Sequence, residues 1–224
     1  MTTFRKIMML FALGCIGLPS DRLYAQRPDG AGKATNTTSA QQPYVQESHN
    51  EIDADGTLHF KSPILIANMG SAPMGVFTFI NSDFVTLATM TDHRGNPIAF
   101  ETTHEGNIFR YKVTLDPLLP PGTSCTYNME GSMKGLVRPV RKLANVYQYY
   151  MRHSPNTGVP TLRIETYLLP QGAKLIVTVP ESMEVKEESG RIKVLHTETI
   201  PAGGNLITYF QYILPESQTG KKEN

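Results

Sequence analysis

The residues best suited to chemistry in this chain are six histidines scattered among acids, a cysteine in a strand-like segment, and a run of tyrosines that ends in Arg and His. Two acid–histidine pairs, Asp92-His93 and His104-Glu105, carry the ligand types of a zinc site. The segment 97–102 between them reads as a strand, and at ~3.3 Å per residue it holds its ends roughly 20 Å apart. One ion cannot then take both pairs. With neither H-E-x-x-H nor a paired-cysteine spacing in the chain, "HEGN" at 104–107 reads as a turn. "DADGT" at 53–57 opens like a calcium loop with Asp53, Asp55 and Gly56, but Ile64 stands where the closing Glu belongs. It reads as the turn into a strand. Cys125 alternates with Tyr127 and Met129 in "TSCTYNM", which places it on an apolar face as a small buried hydrophobe. Nucleophile elbow, phosphate loop and dinucleotide fingerprint are all missing from the sequence, so no catalytic, cofactor-binding or metal-binding residue is assigned.

"NVYQYYMRH" is harder to dismiss. Period-2 alternation puts Tyr147, Tyr149 and Met151 on one face and Val146, Gln148 and Tyr150 on the other, with Arg152 and His153 at the end. Both faces carry Tyr, so at least one ring is expected in solvent. Tyr147, Tyr149, Tyr150, Arg152 and His153 are therefore the candidate ligand or partner surface, since such side chains join apolar area to a polar tip. Packing in a core or at a sheet edge is the competing reading.

The elements that must position these residues read as strands. Gly (18) and Pro (16) punctuate short runs of Val, Ile, Thr, Tyr and Phe, and no long amphipathic helix stands out. Six strands are expected over 57–67, 75–80, 85–90, 97–102, 108–115 and 123–130, and six more over 145–153, 161–169, 174–179, 183–188, 191–200 and 205–214. The sets share landmarks. "PLLPPGTSCTY" at 117–127 and "TIPAGGNLITY" at 199–209 each place a Pro-x-Gly turn before the last strand, followed by Thr-Tyr. The spacing implies a degenerate tandem duplication. The fold class is all-β, as two tandem immunoglobulin-like antiparallel sandwiches over 55–133 and 145–216 joined by a linker at 134–144; one large fused sandwich is the alternative. "EVKEESGR" at 184–191 reads as a solvated edge hairpin.

Residues 1–25 read as a secretory signal peptide, with Arg5 and Lys6 before an apolar stretch from Ile7 to Leu18 and Leu23-Tyr24-Ala25 ahead of Gln26. Lipid attachment at Cys15 is the alternative, giving an anchored lipoprotein. The rest of the chain has no run of spanning length, so no transmembrane segment is expected after the signal. Residues 26–54 read as a disordered polar spacer and 217–224 as a polar tail. The 21 Lys and Arg against 20 Asp and Glu supply no net field for nucleic acid, which is excluded as a partner.

The stretches "PIAFETTHEGNIFRYKVTLDPLLPPGTSCTYNMEG" and "RIETYLLPQGAKLIVTVPESMEVKEESGRIKVLHTETIPAGGNLITYFQYILPE" resemble immunoglobulin-like β-sandwich modules of exported bacterial proteins. The first half is also similar to the N-terminal sandwich of M1-type aminopeptidases, where a strand, a "PPG" turn and a strand recur. The zinc signature of that family is missing here, so no catalytic role carries over. What the resemblance implies is an accessory module. The expected function is an exported, periplasmic or secreted, non-catalytic protein without cofactor that binds an envelope protein or glycan, or serves as a structural component. A carbohydrate-binding module using exposed Tyr is the first alternative, and a cryptic hydrolase or metalloenzyme the second.

Overall fold

The computed structural model describes residues 44–154 and 160–216. The expected signal peptide, Cys15, residues 26–43 of the expected spacer and the tail at 217–224 lie outside the described residues. Fourteen strands run through the described part: β1 (Tyr44–Ile52), β2 (Leu58–Ala67), β3 (Met74–Ser82), β4 (Val85–Thr91), β5 (Phe100–Glu105), β6 (Ile108–Leu119), β7 (Ser124–Met133), β8 (Val137–Pro139), β9 (Val146–His153), β10 (Thr161–Leu168), β11 (Lys174–Val179), β12 (Glu184–Glu188), β13 (Arg191–Ile200) and β14 (Leu206–Ile213). They form a seven-stranded sheet in the order β12-β13-β10-β1-β2-β7-β4, a four-stranded sheet β11-β14-β9-β8 and a three-stranded sheet β3-β6-β5. The protein is all-β, and its sheets stack in a sandwich. No described helix is long and apolar enough to cross a membrane.

Alternation explains the stacking. In β2, Leu58, Phe60, Ile64 and Ile66 are buried while His59, Lys61, Leu65 and Ala67 face out. In β6 the inward residues are Tyr111, Val113 and Leu115. Period-2 patterning gives each strand one wet and one dry side, so each sheet can bury only one face. The inner face of the large sheet meets the two smaller sheets across a core that includes Phe77, Tyr111, Tyr127, Tyr149, Phe210 and Tyr212.

All twelve expected strands are present, with β5 shifted to Phe100–Glu105, so His104 and Glu105 end a strand and only Gly106-Asn107 turn. Two strands were not foreseen. The spacer expected over 26–54 ends early, because residues 44–52 form β1, parallel to β10 on one side and antiparallel to β2 on the other. Its inward side chains include Ser48 and Asn50, and this polarity hid it from a search for apolar alternation. Asn50 donates through Nδ2 to Ser48 Oγ and to the Thr166 carbonyl, both at 3.1 Å. The 134–144 stretch expected to be a plain linker contains β8, paired with β9.

The two sets of six pair alike. β7 lies between β2 and β4 as β14 lies between β9 and β11, and β6 lies between β3 and β5 as β13 lies between β10 and β12. The large sheet takes β2, β7 and β4 from the first set and β10, β13 and β12 from the second, with β1 joining them. One continuous sheet thus draws strands from both sets. The Pro-x-Gly turns also agree: Thr123 N donates to Pro120 O at 3.3 Å and Gly204 N to Pro201 O at 2.8 Å. Gly122 and Gly203 sit at φ 69° and 71°, the positive φ that a type II turn requires at its third position. The repeated Thr-Tyr does not keep its facing. Tyr127 and Thr208, each five residues past the turn glycine, point inward, so Tyr209 is turned to the other side.

Candidate functional site

The buried titratable groups of the described residues converge between β9 and β14 of the four-stranded sheet and β10 and β13 of the large one. Glu165 is at the centre, only 1% exposed. On its own strand, Arg163 donates to Oε1 from Nε at 2.9 Å and approaches it with Nη2 at 2.8 Å. From the facing sheet, Thr208 donates to Oε2 at 2.9 Å. His196 Nδ1 lies 3.1 Å from the Thr208 hydroxyl, and since that hydroxyl donates to Glu165, the imidazole is its donor. His153 Nε2 stands 3.1 Å from Oε1 without the alignment of a hydrogen bond. Arg163 also donates through Nη1 to Gln46 of β1 at 2.6 Å. A cavity of about 30 Å³ adjoins the cluster, lined by Ser48, Asn50 and Tyr167 among others.

Burial works to raise the Glu165 carboxyl, but attraction to the nearby His153 and to the Arg163 guanidinium, with the hydrogen bond from Arg163, outweighs it and holds the group well below the usual carboxylate range. Burial lowers His153 and His196 despite the attraction of Glu165, so both are neutral near pH 7. Burial likewise pushes the Tyr149 and Tyr167 phenols up; their hydroxyls meet at 3.1 Å. The cluster is thus an ionised carboxylate answered by a guanidinium and a hydroxyl, closed off from solvent. Sequence reasoning missed Arg163, Glu165, His196 and Thr208. The one available signal was "TLRIETY", where two charged residues take the inward phase of an otherwise regular strand.

A metal does not fit the cluster. The carboxylate oxygen nearest His153 already accepts from a permanent guanidinium, which repels a cation, and the two imidazoles approach different oxygens of Glu165. Among the described residues no three His, Cys, Asp or Glu side chains are grouped to hold an ion.

The tyrosine strand splits between interior and surface. Tyr149 is 3% exposed and stacks on Phe210, with ring centroids 4.9 Å apart. His153 belongs to the buried cluster, and Tyr147 stacks half-buried on Tyr212 at 5.7 Å. Tyr149 and His153 are therefore interior, because the phase that carries Met151 into the core carries them with it, and Tyr147 lies at the margin. Tyr150, 51% exposed, and Arg152 do face solvent. The register adds Tyr209, directly opposite Tyr150, and Ile207, opposite Arg152. Elsewhere, Cys125 is half-buried at the margin of the core rather than inside it, 3.9 Å from His93 Nδ1. "DADGT" is a turn: Gly56 N donates to Asp53 O and Thr57 N to Asp55 Oδ1.

No protein-family model matches the sequence, and neither does any curated protein. Solved structures do match. A mutant M1 zinc metallopeptidase from Deinococcus radiodurans, bound to a Tyr-Ser-Ala substrate, superposes with a TM-score of 0.50 at 12% identity over 75% of this chain. This chain spans 41% of that one. A putative protease from Parabacteroides distasonis gives 0.46 at 13% identity, covering 77% of this chain and 40% of its own. Leukotriene A4 hydrolase from Saccharomyces cerevisiae gives 0.46 at 10% identity, covering 83% and 32%. At 12% identity, what is shared with the metallopeptidase is a fold, over part of that enzyme's length; its zinc and its activity are said of that enzyme alone.

Proposed function

We propose that this chain is a non-catalytic β-sandwich module, exported to the periplasm or the extracellular space, that acts by binding a component of the envelope. The observation that carries this is the division of the second set of strands. Its converging titratable residues, His153, Arg163, Glu165 and His196, are buried between sheets, while Tyr150, Tyr209 and Ile207 lie on the outer face of the four-stranded sheet. Exposed aromatic and aliphatic area of this kind fits association rather than turnover. Partial coverage of the matched metallopeptidase supports an accessory role. Export rests on the amino-terminal pattern, with a lipid anchor at Cys15 as its variant. A test has two arms. The purified protein, incubated with zinc and aminoacyl-nitroanilides, is expected to release no nitroaniline, and the exported form recovered from cell fractions is expected to begin near Gln26. Hydrolysis lost on Glu165→Gln would overturn the non-catalytic reading, and an unprocessed cytoplasmic chain would overturn export.

A second reading is favoured by the directly opposed Tyr150 and Tyr209: the face is a carbohydrate platform, in which rings take the C–H face of a sugar. Binding to a glycan array that disappears on Tyr150→Ala, with the fold intact, is its expected result. Unchanged binding would remove it.

A further inference from the structure

The charge on this same face departs from the rest of the molecule. Strands β8, β9, β11 and β14 contain no Asp or Glu. Among the described residues, each Lys and Arg on the strands of the other two sheets has a carboxylate at ion-pair distance: Lys61 with Glu130, Arg110 with Glu105, Lys112 with Glu101, Arg163 with Glu165, Lys186 with Glu184, Arg191 with Glu51 and Lys193 with Glu188. Among the same described residues Arg138, Arg152 and Lys174 have none. All three point outward from the four-stranded sheet, as the register shows by pairing Arg138 with Gln148, Arg152 with Ile207 and Lys174 with Ile213. Arg138 donates from Nε to the Gly135 carbonyl, and among the described residues neither of its Nη groups meets a carboxylate.

We propose that the outer face of the four-stranded sheet binds an acidic polysaccharide, a chain of sugar rings bearing carboxylates. This rests on the carbohydrate reading above and names its ligand class. Tyr150 and Tyr209 form the central row. One row away, Arg152 stands beside Ile207; on the other side, Gln148 and Gln211 lead to Arg138. Rows on one face of a strand are ~7 Å apart, so the cations flank the rings at roughly the reach of a neighbouring sugar unit. A uronate ring offers an apolar C–H face to a tyrosine, hydroxyls to the glutamine amides and a carboxylate to a guanidinium, which can hold it with two hydrogen bonds. A neutral glycan would leave the cations unanswered. The near-zero net charge of the whole chain hides this face, because the compensating acids sit elsewhere in the sequence.

The test measures binding of the purified full chain to immobilised polygalacturonate, to the same polymer fully methyl-esterified, and to polyglutamate and single-stranded DNA as anions without sugar-ring carboxylates. Arg152→Ala and Tyr150→Ala, both at exposed positions, are measured in parallel with the thermal midpoint as a check of folding. The expected result is saturable binding to polygalacturonate, weakened about tenfold or more by esterification and by either substitution. Equal binding to the esterified polymer, lost on Tyr150→Ala, would leave the carbohydrate reading standing and remove the acidic ligand. No binding to either polymer would remove both. Binding to polyglutamate or DNA as tight as to polygalacturonate, weakened by Arg152→Ala and indifferent to Tyr150→Ala, would make the face a general polyanion surface and overturn the proposal.

Discussion

In β3 the side chains that enter the core are Phe77 and Phe79; in β10, which holds the same place in the second set of strands, Arg163, Glu165 and Tyr167 do so. The first set closes on rings, with Phe79 stacked on Tyr111 at 5.1 Å and Phe77 near Tyr127 at 6.4 Å. The second keeps its own rings, Tyr149, Tyr167 and Phe210, and adds an ion cluster beside them. Removing charges from water costs several kcal/mol for each ion, so the cluster is no substitute for apolar packing as a source of stability. What it adds is direction. Glu165 accepts from Arg163 within the large sheet and from Thr208 across the gap, which fixes how the four-stranded sheet sits on its neighbour. The first set makes that connection more simply: the Tyr111 hydroxyl, on the three-stranded sheet, donates to Val85 O at 3.2 Å and accepts from Leu87 N at 3.0 Å on β4.

The sharpest way to break this comparison is to remove the carboxylate. Glu165→Leu leaves Arg163 buried and unanswered, and the expected loss is about 3–5 kcal/mol in urea unfolding. Adding Arg163→Met takes away the stranded charge and is expected to recover about half of that loss or more. If the double variant is no more stable than the single one, the guanidinium is not what makes the cluster costly to disturb.

Acid should separate the two sets next. His153 and His196 are neutral in the folded chain and take protons at their ordinary value, about 6.5, once unfolded. Below that pH the unfolded chain binds more protons, so stability falls as pH falls from 6.5 toward the lowered folded values. Glu165, ionised in the fold, adds a loss of the same sign below its ordinary 4.5. Each unit of depression is worth about 1.4 kcal/mol. The first set has no buried His, Arg or carboxylate among its described residues. Hydrogen exchange at pH 5.5, taken relative to each amide's intrinsic rate at that pH, is therefore expected to rise in β9, β10, β13 and β14 compared with pH 7.5, ahead of β3 and β6. A uniform rise would mean that the cluster does not govern the acid response.

A smaller effect is expected from the simpler connection. Tyr111→Phe keeps the ring between Phe79 and Phe109 but strips the hydroxyl from two backbone partners, at about 1–2 kcal/mol. Because β4 is an edge strand, its local exchange should rise more than that of β2, the strand on the far side of β7.

Alternation made the strands legible because most of them bury apolar side chains on one face, and the equivalent turns were legible because Pro and Gly are confined to few backbone geometries. β1 escaped because the pattern searched for was apolar, and Ser48 and Asn50 enter the interior through hydrogen bonds instead. The buried cluster escaped for a related reason. Inward-phase Arg163 and Glu165 look like surface residues until Thr208 and His196, over thirty positions away, supply their partners. Tyr149 and Tyr150 were named together because adjacent strand residues always face apart, and sequence alone left open which of the two faces was dry.

That neighbouring pair gives the smallest predicted effect and the cleanest contrast. Tyr149→Ala removes a ring stacked on Phe210 and the partner of the Tyr167 hydroxyl, with an expected loss of about 3–5 kcal/mol. Tyr150→Ala, one residue on, touches only the outer face, and its effect on unfolding should stay within about 0.5 kcal/mol. Equal losses from the two would place both rings in packed surroundings and leave the outer face without its central residue. With the split as expected, stability and binding are carried on opposite sides of one strand, and Tyr150 and Arg152 can be altered to test recognition without disturbing the ring stack and ion cluster behind them.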